Sequence, residues 1–196
     1  MHTAVLWDLD GVLIDSYEVW FQLLNDTARA FGVAGVSREL MREGWGQGVE
    51  ADVRRFFPHK TVAETEAYYH AHFMDHAAHL RVDPEARAVT EALRARGLRQ
   101  ALITNTPSPL AREILRAASL ELDEVVGGTD VPNAKPAPDM VIEACRRLGV
   151  ASADALVVGD SRYDREAARD ARVRFVGLRI DGDARIERLG ELLELG

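Results

Sequence analysis

Five short apolar runs, separated by helical patterns, limit what this chain can fold into more than any other feature. They span Thr3–Trp7, Leu98–Thr104, Glu124–Gly127, Ala155–Gly159 and Arg174–Leu178. A brief apolar run that stops at polar or glycine-containing residues reads as a parallel strand buried on both faces. Helical patterns fill the gaps at Pro84–Arg96, Pro109–Ser119, Pro138–Leu148 and Arg162–Arg172. Pro84, Pro109 and Pro138 each stand near a helix start, where the missing N–H costs little. Strands alternating with helices in this way predict an α/β core: a Rossmann-like, doubly wound parallel sheet with helices on both faces. One stretch interrupts the alternation. From Ser16 to Leu80 there is helical periodicity and no strand, with Trp20, Leu23, Leu24, Ala28 and Phe31 at three- and four-residue steps. Further helices are expected around 38–43, 49–57 and 62–80. The division expected is a core of residues 1–15 and 81–196 with an inserted, all-helical domain of residues 16–80.

Composition narrows the function classes. Hydrophobic residues make up 47% and charged residues 29% of the 196, as in ordinary globular proteins. The one cysteine, Cys145, excludes an internal disulfide and reads as a buried helix residue. No basic start with an apolar stretch and cleavage site is present, and no run is long enough for a membrane span, so a cytoplasmic protein is expected. The net charge of −8 argues against nucleic-acid or anionic-membrane partners. An acidic protein that handles a phosphate ester must reverse the sign of its field locally, and a divalent cation held by carboxylates does that.

Four groups of polar residues lie where the apolar runs end, the edge at which open α/β sheets bind ligands. Asp8 and Asp10 follow the first run; carboxylates this close need a cation, a shared proton or solvent. Alone, Asp-x-Asp-Gly is usually just an acidic turn. Thr104 and Asn105 end the second run and suit phosphate oxygens, although Thr-Asn-Thr-Pro-Ser-Pro is equally a turn with a helix cap. Lys135 lies on a loop stiffened by Pro136 and Pro138, a setting for a fixed cation or for a solvated surface charge. Asp160 and Asp164, four residues apart where the chain turns into a helix, offer hard oxygens that suit magnesium, or simply an acidic helix start. A parallel sheet brings all four groups to one edge.

In order, Asp8-Leu-Asp-Gly-Val-Leu-Ile-Asp-Ser16, Thr104-Asn105, Lys135-Pro-Ala-Pro-Asp139 and Gly159-Asp-Ser-Arg-Tyr-Asp164 resemble the four motifs of the haloacid dehalogenase-like hydrolases. The resemblance spans Val5 to Leu178 and is nearest to the phosphoglycolate-phosphatase and β-phosphoglucomutase-like members, whose small helical cap the insert resembles. It implies a phosphatase in which Asp8 attacks phosphorus and Asp10 acts as acid, then base. It further implies that Thr104 and Asn105 hold phosphoryl oxygens and that Lys135 neutralises charge. Magnesium would be held by Asp8, the Asp10 carbonyl, Asp160 and Asp164, the last directly or through water. Relatives that act on carbon–halogen bonds generally lack the second aspartate, so Asp10 points to phosphate chemistry.

The alternatives are a phosphomutase, against which Trp20 stands where mutases of this group usually carry histidine, and a non-catalytic binding module. Ala134 and Arg172 replace glycines common in relatives, changes that bear on loop and helix-end geometry. Gly44-Trp-Gly-Gln-Gly48 resembles the loop that such caps lower over the site, making Trp45 and Gln47 candidates for substrate contact or a packed helix connection. His72 and His76 lack a companion metal motif and read as a helix face. The partner expected is a small phosphate ester; oligomeric state is left open.

Overall fold

Strand β1 (Ala4–Trp7) is buried along its whole length, as its uninterrupted apolar sequence requires. The computed structural model, which describes residues 2–195, forms two units: Met1–Ile14 with Val82–Gly196, and Asp15–Arg81. The chain passes from the first to the second within β2 (Ile14–Asp15). It then runs through α1 (Tyr17–Ala30), α2 (Arg38–Gly44), α3 (Val49–Phe56) and α4 (Val62–His72), and returns within β3 (Arg81–Val82). There follow α5 (Ala86–Ala95), β4 (Arg99–Thr104), α6 (Ser108–Ala118), β5 (Glu124–Gly127), α7 (Asp139–Leu148), β6 (Ala155–Gly159), α8 (Arg162–Asp170), β7 (Arg174–Leu178) and β8 (Ala184–Ile186).

In the first unit six strands form one sheet in the order β5-β4-β1-β6-β7-β8, all pairs parallel. β1 therefore lies centrally, with Leu6 opposite Ala101 on one side and Val157 on the other. On one face Ala4, Leu6, Ile103, Val126, Val157 and Phe175 pack against Met140, Val141 and Ala144 of α7 and Ala167 and Ala168 of α8. Each large aliphatic side chain buried this way contributes ~1.5–3 kcal/mol. Alternation turns Trp7 to the opposite face. There its indole Nε1 donates to Gln100 Oε1 at 3.0 Å, and Gln100 Nε2 donates to the Thr90 carbonyl of α5 at 2.8 Å. Helices thus cover both faces, and the doubly wound parallel reading of the sequence holds.

The β8 strand was not foreseen. It has no apolar run, only Ile186 of its three residues is buried, and its backbone gains its place by pairing Leu178 with Ile186. Arg172 takes φ 58° just past α8, so the left-handed helix stop persists without the glycine common in relatives.

In the helical unit α1 turns Val19, Leu23, Leu24 and Ala28 inward, the three- and four-residue spacing seen in the sequence. Trp20 packs edge-on to Tyr69 (5.4 Å) and Phe73 (5.1 Å). Phe31 does the same with Phe57 and Tyr68. Thr61 and Glu64 form a reciprocal capping box that starts α4. The helix expected over 62–80 instead stops at His72 and tightens into a 3-10 turn over Phe73–His79, with Phe73 fully buried. The two histidines have different carboxylate partners: His72 Nδ1 meets Asp75 at 2.8 Å and His76 Nε2 lies 3.1 Å from Asp26.

Candidate active site

The carboxyl edge of the sheet gathers polar groups from four strand ends. Asp8 follows β1 directly, and its amide N–H continues the ladder by donating to the Val158 carbonyl at 2.9 Å. Three residues on, Gly11 adopts φ 87°, and a β-carbon there would collide with the Asp160 carboxylate. Glycine is needed at that position for its backbone shape and for the close approach together. Gly159 similarly makes room for Asp164.

Lys135 connects the groups. Its Nζ donates to Asp8 Oδ1 and Asp164 Oδ1, each at 2.6 Å, and to the Ile103 carbonyl at 3.0 Å. The three donors of the ammonium are thereby used. The Lys135 side chain is 4% exposed and that of Asp164 0%. The loop bearing the lysine is pinned by Asn105, whose Oδ1 accepts from the Lys135 N–H at 2.9 Å while its Nδ2 donates to the Lys135 carbonyl at 3.1 Å. The Asn105 amide thus grips the backbone of the lysine loop.

Asp164 is held at both oxygens. Oδ2 accepts from the Ser161 hydroxyl (2.5 Å) and backbone N–H (3.2 Å), while the Ser161 hydroxyl accepts from the Asp164 amide. This capping box fixes the first turn of α8 and the orientation of Asp164 in one arrangement. Thr104 is buried, and its hydroxyl accepts from the Thr106 N–H at 3.2 Å. Gly127 and Gly128 of the neighbouring strand end leave room for the backbone of 105–108, which a side chain at either would obstruct.

The electrostatics follow from crowding. Burial pushes the Asp8 carboxyl well above its ordinary value; Asp164 adds to this, and Lys135 opposes it without prevailing. Burial, then Asp164, raises Asp160 to about 6. Burial by itself would lower the Lys135 ammonium, but Asp164 and Asp8 override it and hold the lysine charged. One lysine thus faces more negative charge than it can balance.

Asp8, Asp160 and Asp164 each present a carboxylate oxygen within 4.8 Å of the others. Three hard oxygen donors with surplus negative charge fit a divalent cation such as magnesium. Asp10 lies outside this carboxylate group and is partly exposed. Trp45 and Gln47 belong to the helical unit, in the connection between α2 and α3. Trp45 packs on Tyr17 at 4.9 Å, and the Gln47 N–H donates to the Gly44 carbonyl at 3.1 Å.

Sequence reasoning missed Ser161 and the Ile103 carbonyl. The Ser161-x-x-Asp164 spacing was a legible capping signature. A backbone acceptor leaves no trace in side-chain identity.

Comparison with known proteins gives a consistent picture. The sequence pattern of the haloacid dehalogenase-like hydrolases matches residues 5–178. A phosphoglycolate phosphatase of Cupriavidus necator is 33% identical over 180 residues, covering 87% of this chain and 78% of its own. Another from Nitrosospira multiformis is 32% identical over 179 residues, covering 86% and 79%. Among solved structures, CbbY from Rhodobacter sphaeroides in complex with phosphate superposes with a TM-score of 0.86 at 25% identity, covering 98% of this chain and 96% of that one.

Proposed function

From the chain's membership of the haloacid dehalogenase-like hydrolases, as a phosphatase of that family, we propose that it hydrolyses a small phosphomonoester, phosphoglycolate first among the candidates, through an aspartyl-phosphate on Asp8. The observation that carries this reading is the buried Lys135 held 2.6 Å from both Asp8 and Asp164, two of the three carboxylates that gather with Asp160. The choice of phosphoglycolate rests on the activity named for the two relatives above.

In this reading an Asp8 carboxylate oxygen attacks phosphorus while the bond to the leaving oxygen breaks. Asp10 gives that oxygen its proton, then takes one from the water that cleaves the aspartyl-phosphate, releasing inorganic phosphate. Lys135 favours the ionised form of Asp8 against its burial and offsets phosphoryl charge. Thr104 binds phosphoryl oxygens, and Asn105 contributes chiefly by holding the lysine loop in place. Asp8, Asp160 and the Asp10 backbone carbonyl would hold magnesium. Asp164, with one oxygen on Lys135 and the other on Ser161, would reach it through water or by exchanging a partner. When bound, the metal screens the approach of an anionic nucleophile to an anionic ester. Trp45 and Gln47 are proposed as substrate contacts of a cap formed by the helical unit.

The test is phosphate release from a panel of phosphomonoesters, with magnesium and with EDTA, using wild type and Asp8→Asn. Magnesium-dependent release that disappears in the variant is expected, with phosphoglycolate among the best substrates. Release that survives in Asp8→Asn overturns the covalent role of Asp8.

A further inference from the structure

Arg179, directly after β7, has backbone φ 63°. The parallel return from Leu178 to Ala184 is made by residues 179–183, a very short crossover with a left-handed residue at its start. Its backbone is locked there, because the Arg179 N–H donates to the Ile186 carbonyl at 2.8 Å. Glycine adopts such a φ without penalty, whereas arginine meets a clash between its β-carbon and the backbone. The side chain therefore needs a reason, and the structure offers one. The Arg179 guanidinium donates to the Gly11 carbonyl at 3.0 Å across 168 positions of sequence. It makes no ion pair among the described residues, so this hydrogen bond is its one polar engagement.

Gly11 is the residue whose missing β-carbon leaves room for the Asp160 carboxylate, and it follows Asp10 directly. In the turn it belongs to, the Gly11 N–H donates to the Ile14 carbonyl at 2.7 Å, and the N–H groups of Val12 (3.4 Å), Leu13 (3.0 Å) and Ile14 (3.1 Å) converge on the Leu9 carbonyl. The first of these bonds ties one side of the Gly11 residue to the chain; the arginine ties its carbonyl side to the sheet. Without the guanidinium, the Gly11–Val12 peptide keeps only the long Val12 N–H bond to the Leu9 carbonyl, at 3.4 Å, and tilting it shifts Asp10 next door and the space left for Asp160.

We propose that Arg179 is a positioning residue for phosphoryl transfer: by holding the Gly11 carbonyl it fixes the turn that aims Asp10 and confines Asp160. The proposal rests on the roles given above to Asp10 and Asp160. A left-handed arginine at this point is thus kept for its side chain at the expense of backbone comfort.

Arg179→Gly separates this role from a structural one, because glycine removes the guanidinium and relieves the backbone strain. The variant is expected to melt at or near the wild-type temperature. Its kcat should fall about tenfold, since small misplacement of a catalytic group is costly, with KM little changed. Magnesium affinity of the substrate-free protein, measured calorimetrically, should weaken several-fold. Arg179→Lys, which keeps one charged donor, should recover part of both losses, and free guanidinium at millimolar concentration should restore some kcat to Arg179→Gly. An Arg179→Gly protein with wild-type kcat and wild-type magnesium affinity overturns the proposal. So does a loss that tracks melting temperature across both variants. Failure of the underlying reading looks different: wild type itself then releases no phosphate, while the magnesium comparison still decides whether Arg179 confines Asp160.

Discussion

Asp52, on α3, carries a carboxyl that burial raises from its ordinary value of 3.8 to about 7. One hydrogen bond, from the Tyr69 hydroxyl at 3.0 Å, and the more distant Arg55 work against the shift without cancelling it. The folded state therefore holds a proton that the unfolded chain releases. As pH rises from about 4 to about 7, the unfolded state is the one that gains by ionising, and stability falls through that window. At ~1.36 kcal/mol for each pH unit, the full interval corresponds to about 4 kcal/mol. Part of Asp52 stays in contact with water, so solvent screening reduces this to roughly 2 kcal/mol. Asp52→Asn keeps an oxygen acceptor for Tyr69 and cannot ionise. It should leave stability nearly unchanged at about pH 4.5 and raise it by roughly 2 kcal/mol at about pH 8. Urea unfolding followed by tryptophan emission reads the difference, since Trp20 lies in the same unit with its ring 5.4 Å from Tyr69. A variant equal to or weaker than wild type at the higher pH refutes the reasoning. It would mean that Asp52 is ionised in the fold and stabilised by Tyr69 and Arg55.

Two further outcomes follow from the site and its surroundings. Lys135→Met removes the one cation between Asp8 and Asp164 while keeping a similar shape. Breaking a buried ion network typically costs ~3–5 kcal/mol, so melting in EDTA should drop clearly. Magnesium should narrow the gap to wild type, and turnover should fall by about 100-fold or more; unchanged melting in EDTA would contradict the network's importance. Arg172→Gly replaces a side chain at φ 58°. Relief of left-handed strain, partly offset by a freer unfolded chain, should raise melting by about 1–2 °C, and a fall would show that the Arg172 side chain contributes more than its backbone costs.

The sheet was legible because each central strand must be apolar on both faces. Glu124–Gly127, Ala155–Gly159 and Arg174–Leu178 begin and end where their hydrophobic runs do. Glu124–Gly127 lies at one edge of the sheet yet buries three of its four residues, whereas Ala184–Ile186 at the other edge buries only Ile186 and leaves no apolar run to read. The sequence signal fails again where tertiary packing overrides helical periodicity, as at Phe73–His79, whose residues still read as helix one turn at a time. In the site, residue types and their places at strand ends were readable. The use of each atom was not. Asn105 has the donor and acceptor expected of a phosphate ligand, yet both meet the Lys135 backbone, a pairing thirty residues distant that no local pattern encodes.

The central position of β1 also bears on how the protein comes into being. This strand is synthesised before the other strands of its sheet, yet its two neighbours are residues 99–104 and 155–159. Chains released before residue 155 leave one edge of β1 without its partner and lack Asp160 and Asp164 altogether. The segment destined to be the most enclosed is therefore the one with the longest wait, and long-range parallel pairing is slow to form. On the ribosome Asp8 remains an ordinary carboxylate of a nascent chain until the C-terminal half emerges, so chemistry and completion of the fold arrive together.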